Sequence, residues 1–597
     1  MLQFVIAQMK LQYILEMKKP QTHFYNVTMN IEDFTEDSML LTMPAWAPGS
    51  YEIYDFARFV RGLAARSGDA DLDIQKKDKS TWKVNTKGYN SINITYEVFA
   101  NELSVHTSHV DSTHGFLNGT SVFLYVEGYK DQSLELLIRP YGDWKVSTGL
   151  EKLSDNRYRA VNYDILVDSP IEIGNHRSLY FSVEGKEHEI VLYGHGNEDE
   201  DRVRDDVRKI VEQYAKIFGH LPYKRYVFIY HLVSEEDQSG GLEHLNSTTI
   251  DIDRFTFSPF EKYKHFLSVT SHEFFHLWNV KRIRPVELGP FNYKEENYTT
   301  MLWMAEGFTN FYGYHVLLRA GLIDQKEYFR YLAENMRYHD FLPGARNTSA
   351  SESSFDAWIK LYRPTPNNLN SYISYYLKGE LLGLLMDIMI IDATKGTKSL
   401  DDFYRLLMDK YNKDGKGYTE KDIIAALRDV SGRDFSEFFA NYVRKPGIID
   451  FSKDIRPLGY TLKKGYRKID GVEPGEKGFL GIIVRTNGGK YVVDSVVEGS
   501  PAFEAGINPK DEILAIDSFR FGDVFLKDAK EEVKRLKLDN LSTFKPGQEV
   551  RVTFFRRGML HQTTARLAAA PYEYYEFQDD PSPIPGYESL RSKFFTG

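Results

Sequence analysis

Residues 271–278 read Ser-His-Glu-Phe-Phe-His-Leu-Trp, so His272 and His276 stand four positions apart. On a helix that spacing puts two imidazoles one turn up and only about 40° round, within reach of a single ion. Glu273, beside the first histidine, can accept a proton from water that such an ion activates, which is the chemistry of a zinc hydrolase. The chain has no cysteine, so a metal must be held by imidazoles and carboxylates; one Zn2+ per chain is expected. Hydrolytic zinc also needs a third protein ligand and an open coordination position. Two downstream carboxylates compete for that role. Glu306 lies in Leu302-Trp-Met-Ala-Glu-Gly-Phe308, an apolar helical segment fit to pack against the motif helix. Glu295 follows His276 after eighteen residues but sits in the polar run Asn-Tyr-Lys-Glu-Glu-Asn, which reads as solvated loop. A ligand must be buried and rigid, and that favours Glu306.

The elements around these residues follow from periodicity. Phe266, Leu267, Val269, Phe274, Phe275 and Leu277 supply buried faces for a motif helix, and Pro285 stops its continuation. Before it, Asp201–Phe218 repeats apolar residues at helical intervals up to Gly219, and Tyr226–Leu232 reads as a strand. Residues 1–172 hold short alternating segments such as Leu11–Leu15, Val27–Ile31, Ile92–Val98 and Leu134–Ile138, which predict an antiparallel β-sandwich. Within them Met43-Pro-Ala-Trp-Ala-Pro-Gly-Ser-Tyr51 predicts an ordered loop packed by Trp46 and Tyr51. Helices dominate from about 262 to 445. Strands return over 470–570 with one charged helix, Lys527–Lys537, and the tail 571–597 reads as extended. The expected fold class is multidomain α+β, divided into 1–172, 173–455, 470–570 and the tail.

Bulk properties narrow the function. At 597 residues the chain exceeds one hydrophobic core, and 42% hydrophobic with 27% charged residues excludes a mostly disordered protein. A net charge of −10 gives no basic face for nucleic acid. No apolar run reaches the roughly 18 to 20 residues of a membrane span. A cytoplasmic location is expected, or a periplasmic one if a leader has been removed.

Several of these motifs also resemble known families. His272-Glu-Phe-Phe-His-Leu-Trp-Asn-Val-Lys-Arg-Ile-Arg-Pro285 and Met43–Arg58 resemble signatures of the glycyl aminopeptidase family. Trp303-Met-Ala-Glu-Gly-Phe308 resembles the element that carries the third zinc ligand in aminopeptidase N relatives, with a longer gap from His276. The resemblance implies an N-terminal β-domain, a thermolysin-like (gluzincin) catalytic domain and a PDZ domain. It implies further residues as well. Gly240-Gly241-Leu-Glu243-His244 resembles the Gly-x-Met-Glu-Asn loop of aminopeptidases, in which Glu243 would pair with the substrate ammonium and the glycines would admit the peptide backbone; His244 departs from that pattern. Tyr376-Leu-Lys-Gly379 resembles the Tyr-x-Lys-Gly element, whose tyrosine stabilises the oxyanion; Tyr375 is the rival if the helix is rotated. Phe479-Leu480-Gly481-Ile482, preceded by Gly478, resembles the carboxylate-binding loop of PDZ domains. The implied reaction is removal of small N-terminal residues, Gly or Ala, from peptides with a free N-terminus, with a C-terminal peptide as a further partner of the PDZ module. The alternatives are a PDZ-guided endopeptidase and a catalytically inert peptide-binding scaffold.

Overall fold

The computed structural model describes residues 9–234, 240–412, 415–466, 477–524, 541 and 543–597. The expected helix Lys527–Lys537 lies outside the described residues. Among them, no helix is long and apolar enough to cross a membrane. The chain divides into two compact units. The first holds residues 1–299, 312–323 and 404–419; the second holds 300–311, 324–403 and 420–597.

In the first unit the N-terminal region is the expected β-sandwich, though not wholly antiparallel, since Lys10–Glu16 pairs parallel with Leu134–Arg139. An eight-stranded sheet has at its centre Lys10–Glu16 beside Phe24–Glu32, Ser91–Phe99 and Leu134–Arg139. Strand Phe24–Glu32 alternates buried and half-buried residues, and Tyr25, Val27, Met29 and Ile31 all point into the core. Two four-stranded sheets contribute further residues to that core, among them Leu41, Val84, Leu117 and Ile171. A five-stranded sheet follows, in the order 177–183, 186–193, 225–233, 247–253, 240–243. Its three central strands are parallel, and the short strand Gly240–Glu243 closes one edge antiparallel to Ser247–Asp253. Strand Arg225–Val233 is buried almost throughout, as an inner parallel strand must be. The motif helix Phe260–Phe275 covers this sheet through Phe274, whose ring lies 5.0 Å from Tyr226 and 5.6 Å from Phe228.

The second unit is built round helix Tyr375–Ala393, buried on nearly every face, as its predominantly apolar sequence requires, with Lys378, Glu380 and Asp387 buried among the apolar residues. The PDZ module carries the sheet Ile482–Asn487, Lys490–Val496, Glu512–Ile516, Glu549–Arg556, Met559–Arg566 around its own apolar core. The tail departs from expectation. Instead of remaining extended, Tyr574–Asp579 pairs with Tyr460–Gly465, and Tyr587–Thr596 is a helix that buries Leu590 and Phe594. Phe577 stacks on Phe329 at 4.5 Å, so the aromatic content of the tail is the reason it orders.

A buried ionic network ties the sandwich to the five-stranded sheet within the first unit. Glu172 accepts from His114 Nδ1 at 2.9 Å and from His231 Nε2 at 3.2 Å, while His231 Nδ1 donates to Asp251 at 2.6 Å. Burial opposes charge on His231, but Asp251 and Glu172 outweigh it and raise its pKa from 6.5 to about 9. Burial likewise opposes charge on Glu172, yet His114 and His231 hold it at about 2, below the usual 4.5. The His231 contribution is therefore complete below about pH 6.5 and lost as pH rises through about 9; that of Glu172 is complete above about pH 4.5 and lost as pH falls toward 2. Urea unfolding should show falling stability on both sides of that window. His231→Phe should destabilise the protein near pH 6 by about 3–5 kcal/mol, because it strands buried carboxylates, and should flatten the alkaline decline. An unchanged alkaline slope in the variant would remove the network as its cause.

Candidate active site

His272 and His276 belong to one helical turn, and their Nε2 atoms lie 3.0 Å apart. The helix ends at Phe275 with His276 as its cap, and the chain turns sharply so that His276 Nδ1 donates to the Asn279 carbonyl at 2.6 Å. That bond fixes the tautomer: Nδ1 holds the proton, and Nε2 turns a lone pair toward His272. Two ring nitrogens this close suit one ion bound about 2.0–2.1 Å from each. The donor set fits zinc. Behind the helix, Phe275 stacks on Tyr312 at 4.4 Å, and Tyr214 donates to the Ser271 carbonyl at 3.0 Å, so neither imidazole can swing away with its backbone.

Glu273 is only 6% exposed and Glu243 only 5%. Donor atoms of Glu243, Glu273 and His276 all lie within 4.8 Å of one another. The edge strand Gly240–Glu243 accomplishes this, pairing Gly241 with Ile250 and Glu243 with Thr248. Gly241 is the residue this approach requires: a Cβ there would run into the Glu273 carboxylate. Gly240 stands further out, with open space where its Cβ would be. The loop expected around Trp46 closes over the same point. Trp46 is fully buried and donates from its indole to the Asn292 carbonyl at 2.9 Å, while the Ala45 N–H donates to Tyr293 at 2.7 Å. At the loop's tip Gly49 is left-handed (φ +95°), and a Cβ there would lie 2.8 Å from one Glu243 oxygen. The sequence pattern singled out this loop without revealing that its glycine faces Glu243.

His244 is buried, and its Nδ1 donates to Asp168 at 3.1 Å. Asp168 also accepts from the Leu245 N–H at 2.9 Å and from Lys281 Nζ at 2.7 Å. Burial pushes against the Asp168 charge, but Lys281 and His244 hold its carboxyl below the usual range. Asp168 and Lys281 were not singled out by sequence, although Lys281 lies inside the 272–285 signature. Glu295 is exposed and accepts from the Asn292 side chain at 2.8 Å; it joins no candidate ligand group among the described residues.

In the second unit, Glu306 is 2% exposed at the junction of helices Leu302–Ala305 and Gly307–Arg319. The next residue, Gly307, packs backbone to backbone against Gly379, where any Cβ would strike main chain. That contact brings the Glu306 segment to the first turn of helix Tyr375–Ala393. Tyr376 sits in that turn, half-buried, with its ring stacked 4.8 Å from the fully buried Tyr375. Burial, then the nearby Glu306 carboxylate, raise the Tyr376 pKa well above 10, so its hydroxyl keeps its proton. The PDZ loop lies in this unit too. Phe479 packs with Val497 against Phe341 and Leu369, and Leu480 and Ile482 are fully buried in the module. Gly481 is left-handed (φ +92°), and its carbonyl accepts from the Val497 N–H at 2.8 Å.

Comparison with known proteins agrees with this arrangement. Residues 12–175 match the Peptidase M61 N-terminal domain, residues 265–382 the M61 glycyl aminopeptidase, and residues 478–567 a PDZ domain. No curated protein matches. A crystal structure described as an aminopeptidase N family protein from Idiomarina loihiensis is 29% identical, with a TM-score of 0.87 over 97% of this chain and 99% of that one. An M1 zinc metallopeptidase from Deinococcus radiodurans is 10% identical, with a TM-score of 0.47 over 74% of this chain and 96% of that one. The chain is a zinc metallopeptidase of the M61 glycyl aminopeptidase family, with that family's N-terminal and peptidase domains and a PDZ domain.

Proposed function

We propose that the chain removes single N-terminal residues, small ones such as Gly or Ala, from peptides with a free amine, using one zinc held by His272, His276 and Glu306. The observation that carries this reading is the buried convergence of Glu243, Glu273 and His276 within 4.8 Å. An aminopeptidase needs a buried carboxylate for the substrate ammonium, and Glu243 beside the general base supplies one. For the ligand set, support comes from the 3.0 Å approach of the two imidazoles and from the burial of Glu306 on an apolar helical segment.

Zinc so held supplies Lewis acidity and makes water acidic enough to lose a proton near neutral pH. Glu273 accepts that proton and returns it to the departing amine. Glu243 anchors the ammonium and so fixes which peptide bond is presented. Tyr376, protonated at any working pH, donates to the oxyanion that forms on the scissile carbonyl; one such donor is worth roughly 3 kcal/mol in the transition state. The PDZ loop Phe479–Ile482 is proposed to receive a C-terminal peptide.

One peptide offered with a free and with an N-acetylated amine tests the central reading: the free form should be cleaved and the blocked form spared. Preferential cleavage of the acetylated peptide would replace it with the endopeptidase reading, and bound zinc without turnover on a free-amine peptide library would favour the inert scaffold. Glu306→Ala should lose zinc, measured by elemental analysis, whereas Glu295→Ala should keep it; the reverse result moves the ligand to Glu295. Gly241→Ala should keep zinc but lower kcat by about a hundredfold, the usual cost of displacing a catalytic group by roughly 1 Å. A near-normal rate in that variant would show that Glu273 has room to spare.

A further inference from the structure

Glu243 and the His276 turn come from different segments of the chain, and the distance between them decides which peptide bond an anchored substrate presents. Glu243 is the last residue of edge strand Gly240–Glu243, and a tight turn follows in which the His244 N–H donates to the Ser247 carbonyl at 3.0 Å. An edge strand is paired on one side alone, so the chain leaving it needs another hold.

One side chain supplies it. Arg282 is half-buried, and its guanidinium reaches three main-chain carbonyls. Nη1 donates to Leu245 at 3.2 Å and to Leu277 at 2.8 Å, and Nη2 donates to Pro222 at 3.0 Å. Leu245 stands two residues past Glu243, Leu277 directly follows His276, and Pro222 leads into Arg225–Val233, the middle strand of the sheet. Burial lowers the Arg282 pKa from 12.5 to about 10 yet leaves the group charged near neutral pH, so each bond is charge-assisted. The preceding residue works on the same turn. Lys281 donates from its backbone to the His276 carbonyl at 3.0 Å, and its ammonium pairs with Asp168 at 2.7 Å. Asp168 in turn accepts from the Leu245 N–H at 2.9 Å. Leu245 is therefore gripped at its carbonyl by Arg282 and at its N–H through Asp168, which leaves its two backbone dihedrals little freedom. Both grips lead back to the turn that carries His276.

We infer that Arg282 is a positioning residue that fixes the distance between Glu243 and the His276 turn, and with it the register in which the substrate's first peptide bond is presented. Asp168 and Lys281 complete the clamp. The inference rests on the aminopeptidase reading and extends it by naming what holds the ammonium anchor in place. Lysine is a poor substitute, because one ammonium on a single stem cannot span carbonyls from three segments as a planar fork does.

A double-mutant cycle on the zinc-loaded full-length enzyme, with Ala-Phe amide as substrate, tests this. Arg282→Met keeps an apolar stem of similar course and removes the three bonds. It should leave zinc content unchanged and lower kcat/KM about a hundredfold, the cost of displacing a catalytic group by roughly 1 Å. In a Glu243→Gln background the same substitution should cost almost nothing further, since the anchor it places is already gone. Arg282→Lys should fall between wild type and Arg282→Met, and it carries the same comparison in both backgrounds if the methionine variant does not fold. Equal losses with and without Glu243 would overturn the inference and leave the aminopeptidase reading standing. A wild-type rate in Arg282→Met would overturn it as well. Undiminished turnover in Glu243→Gln would sink the aminopeptidase reading and the inference with it.

Discussion

Two buried carboxylates within 4.8 Å of each other, Glu243 and Glu273, are the constraint on which the site depends. At an effective dielectric constant near 20 their repulsion is about 3–4 kcal/mol, and burial adds a desolvation cost for each. Such a pair is tolerable only where positive charge is delivered to it. In a zinc aminopeptidase that charge has two sources, a divalent ion beside His276 and the ammonium of the substrate. In the proposed reaction a peptide with a free amine relieves that repulsion, whereas a blocked one leaves it in place. Binding energy is thereby spent at the end of the peptide where the reaction occurs.

Holding that arrangement falls to glycines and to backbone. Gly241 lets the edge strand approach Glu273, and Gly49 lets the sandwich loop approach Glu243. In the second unit the Gly307–Gly379 contact does the same for the segments that carry Glu306 and Tyr376. Each of these glycines belongs to a stretch that chemistry alone would single out for a neighbouring residue: Glu243, Trp46, Glu306 and Tyr376. The carboxylates and aromatics are the visible part of each motif. The glycines decide how closely one motif approaches the next.

This explains what was legible in the sequence. The motif helix could be read from His272, Glu273 and His276 because helical periodicity is local, and strands such as Phe24–Glu32 announce themselves by alternation. Choosing Glu306 over Glu295 rested on burial inferred from apolar neighbours, and the two residues do differ that way, 2% exposed against exposed. The long-range partners were not legible. Nothing near Glu172 in the chain announces His231 or His114, and nothing near His244 announces Asp168, because the separations are 59, 58 and 76 residues. The tail misled for a related reason. Its prolines, aspartates and tyrosines suggest an extended segment when read alone, but Phe577 and Leu590 find apolar surface contributed by residues far upstream.

The second unit carries the same logic to the PDZ module. Asn370 donates from its side chain to the Val496 carbonyl at 2.8 Å and accepts from the Glu498 N–H at 2.8 Å, bridging the module to the segment just before Tyr375. Phe479, from the loop that resembles a carboxylate receptor, packs against Phe341 and Leu369 of the peptidase helices. On the far side, helix Tyr587–Thr596 folds back so that Ser589 and Leu590 touch Gly396, just past the end of helix Tyr375–Ala393. The helix whose first turn carries Tyr376 is thus held at both ends by residues that follow it in sequence. A tyrosine that donates a hydrogen bond only in the transition state gains nothing from mobility, because preorganised donors do their work by not having to reorient. In the proposed mechanism the module and tail therefore assist Tyr376 by holding its helix in place.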